Sequence, residues 1–182
     1  MSRPFARPPL PRAIERMIRV DQAGEYGAVR IYAGQIAVMG DRGPHAAKIR
    51  EMEAQEVDHR EWFDTLVAER GARPTLMQPI WHVAGFALGA ATALISPEAA
   101  MACTAAIETE IDKHYTDQLA ELAEMGADEP VLTERITRAR DDEREHLDAA
   151  IEAGAERAPA YPLLSGLIRL GCRFAIGLSE RI

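Results

Sequence analysis

Apolar residues recur every three or four positions along most of this chain, and turn residues divide the pattern into six segments. This spacing predicts amphipathic helices, because positions three and four apart share one helix face. No stretch alternates apolar and polar residues over the length of a strand. Pro44 and the Ser96-Pro97 pair are placed as helix starts, and Gly71 as a helix stop. The predicted helices span approximately residues 11–39, 44–70, 78–95, 97–126, 130–154 and 163–179.

The first two helices, and the fourth and fifth, form two long predicted hairpins joined by the third segment. One long crossover between hairpins is the connectivity of ferritin-like proteins. We therefore predict an all-α fold, a ferritin-like four-helix bundle with a C-terminal amphipathic helix. Its single domain covers residues 12–182, with a membrane-associated crossover at about 74–97 and the last helix at about 163–179, and residues 1–11 form a flexible basic lead-in.

Composition limits the classes of protein to which the chain can belong. Aromatic residues make up 5% and charged residues 27%, which favours helices and argues against a disordered or polytopic membrane protein. The two cysteines, Cys103 and Cys172, form no CxxC pair, so we expect a reducing compartment. Residues 1–12 contain four prolines and three arginines without an apolar core, so we expect neither a secretory signal nor an amphipathic transit helix.

The net charge of −8 is unevenly distributed. Residues 1–20 and 157–182 carry nine arginines and two glutamates, whereas residues 21–156 hold 12 basic and 27 acidic groups. The acidic middle argues against nucleic-acid binding and suits a solvated surface or a cation site. The basic ends suit an anionic membrane surface, or serve solubility alone.

An uncharged segment extends from Pro74 to Pro97. Its helical part is about 25 Å long at 1.5 Å per residue, which is marginal for a membrane span. It is a buried crossover helix, a helix that dips into one leaflet, or a transmembrane helix. The last helix supports the second alternative, because Ser165, Arg169 and Arg173 form a narrow polar stripe on an otherwise apolar surface. A core helix or a protein–protein surface would explain this stripe as well.

Glycines interrupt two of the predicted helices, at a cost of about 1 kcal/mol each relative to alanine. Gly24, Gly27 and Gly34 lie in the first helix, and Gly85 and Gly89 in the uncharged segment. Small residues allow helix backbones to approach closely. We therefore expect close helix packing at these positions, in preference to a substrate contact.

Two of the five histidines follow a glutamate by three residues, in the stretches EVDH (56–59) and EREH (143–146). Both pairs lie on the apolar stripe of their helix, where an unpaired carboxylate is costly. The preceding helix of each hairpin places one more acid on its apolar stripe, Glu25 and Glu108. Four carboxylates and two imidazoles in a bundle core are typical of di-iron and di-manganese proteins, because two divalent cations neutralise the four acids. The alternative is four glutamates at the edge of the core in surface ion pairs.

Four blocks of the sequence point to a particular family. They are VDQAGEYGA (20–28), RIYAGQ (30–35), MACT (101–104) and RDDE (140–143). These blocks resemble the demethoxyubiquinone hydroxylase family of ubiquinone biosynthesis, and the resemblance extends from about Arg12 to the C-terminus. One departure is Gln22, where many relatives have histidine. Since this is not a ligand position, we expect it to tune the site at most.

The resemblance implies a set of ligands for two iron ions, an Fe2+/Fe3+ pair. They are Glu25, Glu56, His59, Glu108, Glu143 and His146. It also implies catalytic positions near the path of reductant or substrate for Tyr115 and His114, although a core tyrosine with a satisfied hydroxyl fits Tyr115 equally. Asp21, one turn before Glu25, is a candidate for orienting a ligand histidine.

The activity that the resemblance implies is that of a di-iron monooxygenase, an oxidoreductase that uses O2 to hydroxylate the ring of 3-demethoxyubiquinol. Because a polyprenyl quinone resides in the bilayer, we expect peripheral contact with the inner membrane, on the cytoplasmic face in a bacterium or the matrix face in a mitochondrion. A lipid-binding partner protein of ubiquinone biosynthesis is implied too, and a homo-oligomer is compatible with the sequence. The alternatives are a ferritin-like ferroxidase or iron-storage protein, and a membrane-docking module with a vestigial site.

Overall fold

A computed structural model of the chain describes residues 10–40, 43 and 45–182. The helices are α1 (Arg12–Met39), α2 (Ala46–Arg70), α3 (Gln78–Ile95), α4 (Pro97–Glu124), α5 (Pro130–Glu152) and α6 (Tyr161–Ser179), with a 3-10 turn at Ala155–Arg157. These residues contain no strand, and the all-α prediction is confirmed. Most of the predicted lead-in, residues 1–9, lies outside the described residues.

The predicted helix ends agree with the structure because the residues that set them act locally. The hydroxyl of Ser96 accepts a hydrogen bond of 3.1 Å from a first-turn N–H of α4, as an N-cap does. Gly71 closes α2 with a left-handed φ of 68°. The start of α2 was predicted wrongly at Pro44, which lies outside the described residues. The helix begins at Ala46, because His45 has a φ of 66° and cannot continue the helical backbone.

Two of the three apolar clusters formed by the described residues lie towards opposite ends of the bundle. The first includes Ile14, Met17, Phe63, Leu132 and Ile136. The second includes Ile49, Met52, Met101, Ala105 and Ala150. On each of the helices α1, α2, α4 and α5, a predicted ligand glutamate lies between residues of the two clusters. A polar layer therefore crosses the middle of an apolar core, where it is shielded from water.

Helix α3 packs chiefly against α1, and the contact depends on glycine. A Cβ at Gly34 would overlap a backbone carbonyl of α3, and a Cβ at Gly89 would overlap a backbone carbonyl of α1. A Cβ at Gly85 would lie 3.0 Å from another carbonyl of α1. The prediction of close packing is confirmed at these three positions. It is wrong at Gly24, where a Cβ would meet nothing within 4 Å. At Gly27 a Cβ would also meet nothing, but the Gly27 carbonyl is the one that approaches Gly85 of α3.

Helices α3 and α6, together with Leu76 just before α3, expose a broad apolar surface, which we call the apolar face. It consists of Leu76, Ile80, Val83, Leu94, Leu163, Leu167, Leu170 and Phe174. Both helices are long and apolar enough to cross a membrane by length and composition alone, and only 17% and 11% of their most apolar windows is buried. Within this monomer, α3 is therefore not a buried crossover helix.

The polar stripe of α6 lies against the bundle. Arg169 Nε and Arg173 Nη1 donate hydrogen bonds of 2.6 and 2.8 Å to Oε1 of Glu110 on α4. Glu110 is only 3% exposed, so its carboxylate depends on these two partners. This ion pair holds α6 with its apolar side turned outward.

Candidate metal centre

The six predicted ligand residues meet in the polar layer, and none is more than 8% exposed. Their donor atoms form two groups, each with all atoms within 4.8 Å of one another. The first group is Glu25, Glu56, His59 and Glu143, and the second is Glu56, Glu108, Glu143 and His146. Because Glu56 and Glu143 belong to both groups, they lie between two adjacent positions, each of which can hold a metal ion.

Burial shifts the pKa values of the glutamates of the centre. It raises the pKa of Glu56 and Glu143 well above the usual range, and neighbouring carboxylates add to the shift. Burial also raises the pKa of Glu108, to about 7. For Glu25 burial acts in the same direction, but the His59 imidazole beside it outweighs burial and lowers the pKa. Without metal, the centre therefore holds protons that a cation would displace.

The surroundings of the two histidines shift their pKa values in opposite directions. Burial acts to lower the pKa of both, but for His59 the carboxylates of Glu25 and Asp142 reverse this and raise the pKa to about 9. For His146, burial and the neighbouring charge of His59 lower the pKa to about 4. Both point Nδ1 into the centre. His59 Nδ1 lies 3.7 Å from Glu25 Oε2, and His146 Nδ1 lies 3.1 Å from Glu56 Oε1.

Several buried polar atoms of the centre make no hydrogen bond of good geometry to the described residues, although His146 Nδ1 approaches Glu56 Oε1 to 3.1 Å. They are both carboxylate oxygens of Glu56, Nδ1 of His59, Oε2 of Glu108 and Oε1 of Glu143. A buried polar atom left unpaired costs about 1–3 kcal/mol, so native proteins rarely retain a group of them. Carboxylate oxygens and imidazole nitrogens are suitable donors for iron and manganese. The unpaired atoms and the type of donor both fit a pair of divalent metal ions.

Glu25 and Glu108 each belong to only one donor group, and we call them the outer glutamates. Each accepts a hydrogen bond from a tyrosine. The Tyr115 hydroxyl on α4 donates a hydrogen bond to Glu25 on α1, and the Tyr32 hydroxyl on α1 donates one of 2.7 Å to Glu108 on α4. Tyr115 is thus a buried tyrosine with a satisfied hydroxyl, in contact with a predicted ligand. Tyr32 is absent from the predicted site residues. The sequence does carry a signal for it, because Glu25 and Glu108 each precede a tyrosine by seven residues.

Asp21 and His114 form a separate polar group beside the centre. The Nε2 atom of His114 lies 3.3 Å from Oδ1 of Asp21, and Gln118 donates a hydrogen bond of 2.8 Å to the same oxygen. The expectation that Asp21 orients a ligand histidine is therefore wrong, because Asp21 on α1 faces α4, whereas the ligand histidines lie on α2 and α5. Gln22 donates a hydrogen bond of 2.8 Å to Asp64 on α2.

The ligand histidines have partners that the sequence did not reveal. Oδ2 of Asp142 lies 3.0 Å from Nε2 of His59, and Oε1 of Gln55 lies 2.8 Å from Nε2 of His146. Each partner directly precedes the glutamate of a Glu-x-x-His pair but contacts the histidine of the other pair, so its sequence position alone does not identify the contact. Asp142, Gln55 and His59 line a polar depression of about 480 Å³ between α2 and α5.

An apolar cavity of about 420 Å³ lies between α1, α3, α4 and α6. Gly24, Gly27 and Ile107 line its wall. Gly24 and Ile107 are the sequence neighbours of Glu25 and Glu108, although the two glutamates do not themselves line the cavity. The missing side chains at the two glycines leave room in the cavity, because a Cβ at either position would meet nothing within 4 Å.

Known proteins resemble this chain over nearly its whole length. Residues 12–179 match a family model described as ubiquinone biosynthesis protein COQ7. A 3-demethoxyubiquinol 3-hydroxylase of Rhodospirillum rubrum is 55% identical over 175 residues, covering 96% of this chain and 81% of the relative. The mitochondrial NADPH-dependent 3-demethoxyubiquinone 3-hydroxylase of Homo sapiens is 49% identical over 171 residues, covering 93% and 78%. The mitochondrial 5-demethoxyubiquinone hydroxylase of Saccharomyces cerevisiae is 46% identical over 182 aligned positions, covering 93% and 78%.

Proposed function

This chain belongs to the COQ7 family of ubiquinone biosynthesis proteins, and on that premise we propose that it holds two iron ions on the six residues of the centre and hydroxylates 3-demethoxyubiquinol with O2. It is a hydroxylase of ubiquinone biosynthesis, as its relatives are named. The observation that carries the metal proposal is the set of unpaired buried donor atoms that converge from four helices.

Each residue of the centre has a distinct task in this proposal. Glu56 and Glu143 would contribute to holding both ions, because each belongs to both donor groups. Glu25 and His59 complete one position, and Glu108 completes the other together with the second histidine. When bound, the iron pair would supply two electrons to O2, so that, with two protons, one oxygen atom is added to the quinol ring and the other is released as water. The apolar clusters on both sides keep bulk water away from this chemistry.

The apolar cavity is the proposed place for the quinol. A quinone head group with a polyprenyl tail is mainly apolar, and apolar lining suits such a ligand. The cavity wall contains Gly24 and Ile107, the sequence neighbours of Glu25 and Glu108, which supports a ring bound on the side of the metal centre that faces α3 and α6. Helices α3 and α6, which bound the cavity, also carry the apolar face, so a substrate could enter from a membrane without crossing water.

Tyr115 and His114 are the proposed residues on the path of reductant or substrate. Tyr115 touches the ligand Glu25, and the ring of His114 lies next to that of Tyr115 with centroids 6.0 Å apart. Asp21 holds His114 in place. The human relative is named NADPH-dependent, and we propose a nicotinamide nucleotide as the source of the two electrons that each hydroxylation consumes.

We propose that the enzyme is located at a membrane, which it contacts through the apolar face. Two relatives are named mitochondrial. We propose peripheral association with the inner membrane, on the matrix face in a mitochondrion or the cytoplasmic face in a bacterium. A lipid-binding partner protein and a homo-oligomer belong to the same proposal, since either would cover part of an exposed apolar surface.

The reaction itself tests the proposed function. Anaerobic loading of the purified protein with Fe2+, followed by O2, NADPH and a demethoxyubiquinol analogue, should give a product heavier by one oxygen atom in mass spectrometry. His146→Ala should abolish this product and retain the helical content, whereas Glu145→Ala, an exposed position on the same helix, should leave the product unchanged. Near-full activity of His146→Ala would contradict the ligand assignment. A ferroxidase would consume O2 and Fe2+ without any oxygenated quinol.

Sedimentation with anionic phospholipid vesicles tests the membrane proposal. We expect Leu167→Glu to reduce the bound fraction about tenfold, because a charge replaces an apolar contact worth about 1.5–3 kcal/mol. Val131→Glu is the matched control, since Val131 is an exposed apolar residue on α5, outside the apolar face. Equal binding of the two variants would contradict a membrane contact through α6.

A further inference from the structure

The two hairpins repeat one pattern of site residues. Each supplies a glutamate and a tyrosine seven residues apart on its first helix, and a Glu-x-x-His pair on its second. The repeat extends to the residue directly before each Glu-x-x-His pair. There the first hairpin has Gln55 and the second has Asp142. Equivalent positions therefore hold a neutral amide and a carboxylate.

Each of these residues reaches the histidine of the opposite hairpin. Asp142 contacts Nε2 of His59 at 3.0 Å, and Gln55 contacts Nε2 of His146 at 2.8 Å. In both histidines Nδ1 faces the shared carboxylate of Glu143, at 3.8 and 3.2 Å. Nδ1 is thus the nitrogen that can bind metal, and Nε2 is the one that donates its proton outward.

A carboxylate and an amide act differently on a ligand imidazole. A hydrogen bond to a charged acceptor is roughly twice as strong as one to a neutral acceptor, and it makes the metal-binding nitrogen more basic. The amide oxygen of Gln55 orients the ring of His146 without adding charge. The carboxylate of Asp142 is 25% exposed, so solvent screens part of its effect on His59.

From this difference we infer that Asp142 and Gln55 are positioning residues that make the two metal positions unequal in affinity. The inference rests on the proposed metal centre. The ion held by Glu25 and His59 binds first and more tightly, whereas the ion on the side of His146 binds second and exchanges more readily. The remaining donors are of the same kind at both positions, since each position has one glutamate that accepts a hydrogen bond from a tyrosine and shares Glu56 and Glu143.

Titration of the metal-free protein with Co2+ tests this order, with calorimetry and the visible absorption of bound Co2+ as readouts. Wild type should bind two ions in steps that differ about tenfold or more in affinity. Asp142→Asn should weaken the tighter step about tenfold and leave the weaker step in place. Gln55→Glu should strengthen the weaker step. His59→Ala should remove the tighter step, and His146→Ala the weaker one.

Asp141→Asn is the matched control, because it removes the same charge at the neighbouring exposed position of α5, where Asp141 pairs with Arg140. It should change neither step. Asp142→Asn variants that weaken both steps equally, or neither, would overturn the inference, as would an equal effect of Asp141→Asn. Failure of the proposed metal centre has a different signature, because wild type would then bind fewer than two ions.

Discussion

The hydroxyl of Tyr32 on α1 donates a 2.7 Å hydrogen bond to Oε1 of Glu108 on α4. Tyr115 on α4 makes the reciprocal contact with Glu25 on α1. Burial, with the charge of the adjacent glutamates, raises the pKa of both tyrosines well above the usual value. Both hydroxyls therefore stay protonated and act as donors, which holds one oxygen of each outer glutamate in a fixed orientation.

Removing either hydroxyl should weaken metal binding. We expect Tyr32→Phe and Tyr115→Phe each to lower the affinity for Fe2+ about tenfold, because the outer glutamate loses the donor that orients it. Competition with a chelator measures this affinity. If Tyr115 also acts on the path of reductant or substrate, turnover at saturating iron should fall further in Tyr115→Phe than in Tyr32→Phe. Equal turnover in the two variants would contradict a catalytic role for Tyr115.

The convergence of the six residues of the centre and most of the helix ends were predictable because their signals are local. Proline, serine and glycine act on the backbone within one turn, and a Glu-x-x-His spacing places both side chains on one helix face whatever the helix packs against. The partners Asp142 and Gln55 were not found, because each contact crosses from one hairpin to the other. Such contacts depend on the relative rotation of the hairpins, which no short stretch of sequence determines.

The cavity and the orientation of α6 were not predictable for a related reason. The apolar and charged positions of α6 are visible in the sequence, but the partner of Arg169 and Arg173 is Glu110, about 60 residues earlier on α4. Gly24 and Gly34 look alike in the sequence, yet one faces open space and the other faces α3. Only the packing of α3 across α1 distinguishes them.

The raised pKa of Glu108 should make the free energy of unfolding of the metal-free protein depend on pH. Its pKa is raised from 4.5 to about 7 in the folded state, so between these pH values the folded state binds more protons than the unfolded state. This contribution to stability is fully present below pH 4.5 and is lost as the pH rises through 7. We expect Glu108→Gln to remove a slope of up to about 1.4 kcal/mol per pH unit from the free energy of unfolding. Urea unfolding of both proteins measures it, and identical slopes would contradict the raised pKa.

Alanine substitutions at two glycines should have opposite effects on stability. Gly89→Ala should destabilise the protein by about 1–3 kcal/mol, because the new Cβ overlaps a backbone carbonyl and forces α1 and α3 apart. Gly24→Ala should stabilise it by up to about 1 kcal/mol, since the space is open and alanine favours a helix. The KM for the quinol should nevertheless rise in Gly24→Ala, because the cavity narrows. Thermal unfolding and steady-state kinetics measure both effects, and a stabilised Gly89→Ala would contradict the packing of α3.

Removing the two arginines that pair with the buried carboxylate of Glu110 should destabilise the folded protein. Replacing Arg169 and Arg173 by leucine leaves Glu110 without a partner and should cost on the order of 3 kcal/mol. Adding Glu110→Leu to these changes should restore most of the loss, because no unpaired charge then remains in the core. Urea unfolding of the variants gives the three free energies. A triple variant no more stable than the double variant would contradict this account of α6.

The number and position of bound metal ions test the central claim most directly. Crystals of the protein grown after anaerobic loading with Fe2+ should show, by anomalous scattering at the iron edge, two ions per chain about 3.5–4 Å apart, with Glu56 and Glu143 between them. A single ion, or ions bound by residues outside the six, would contradict the account.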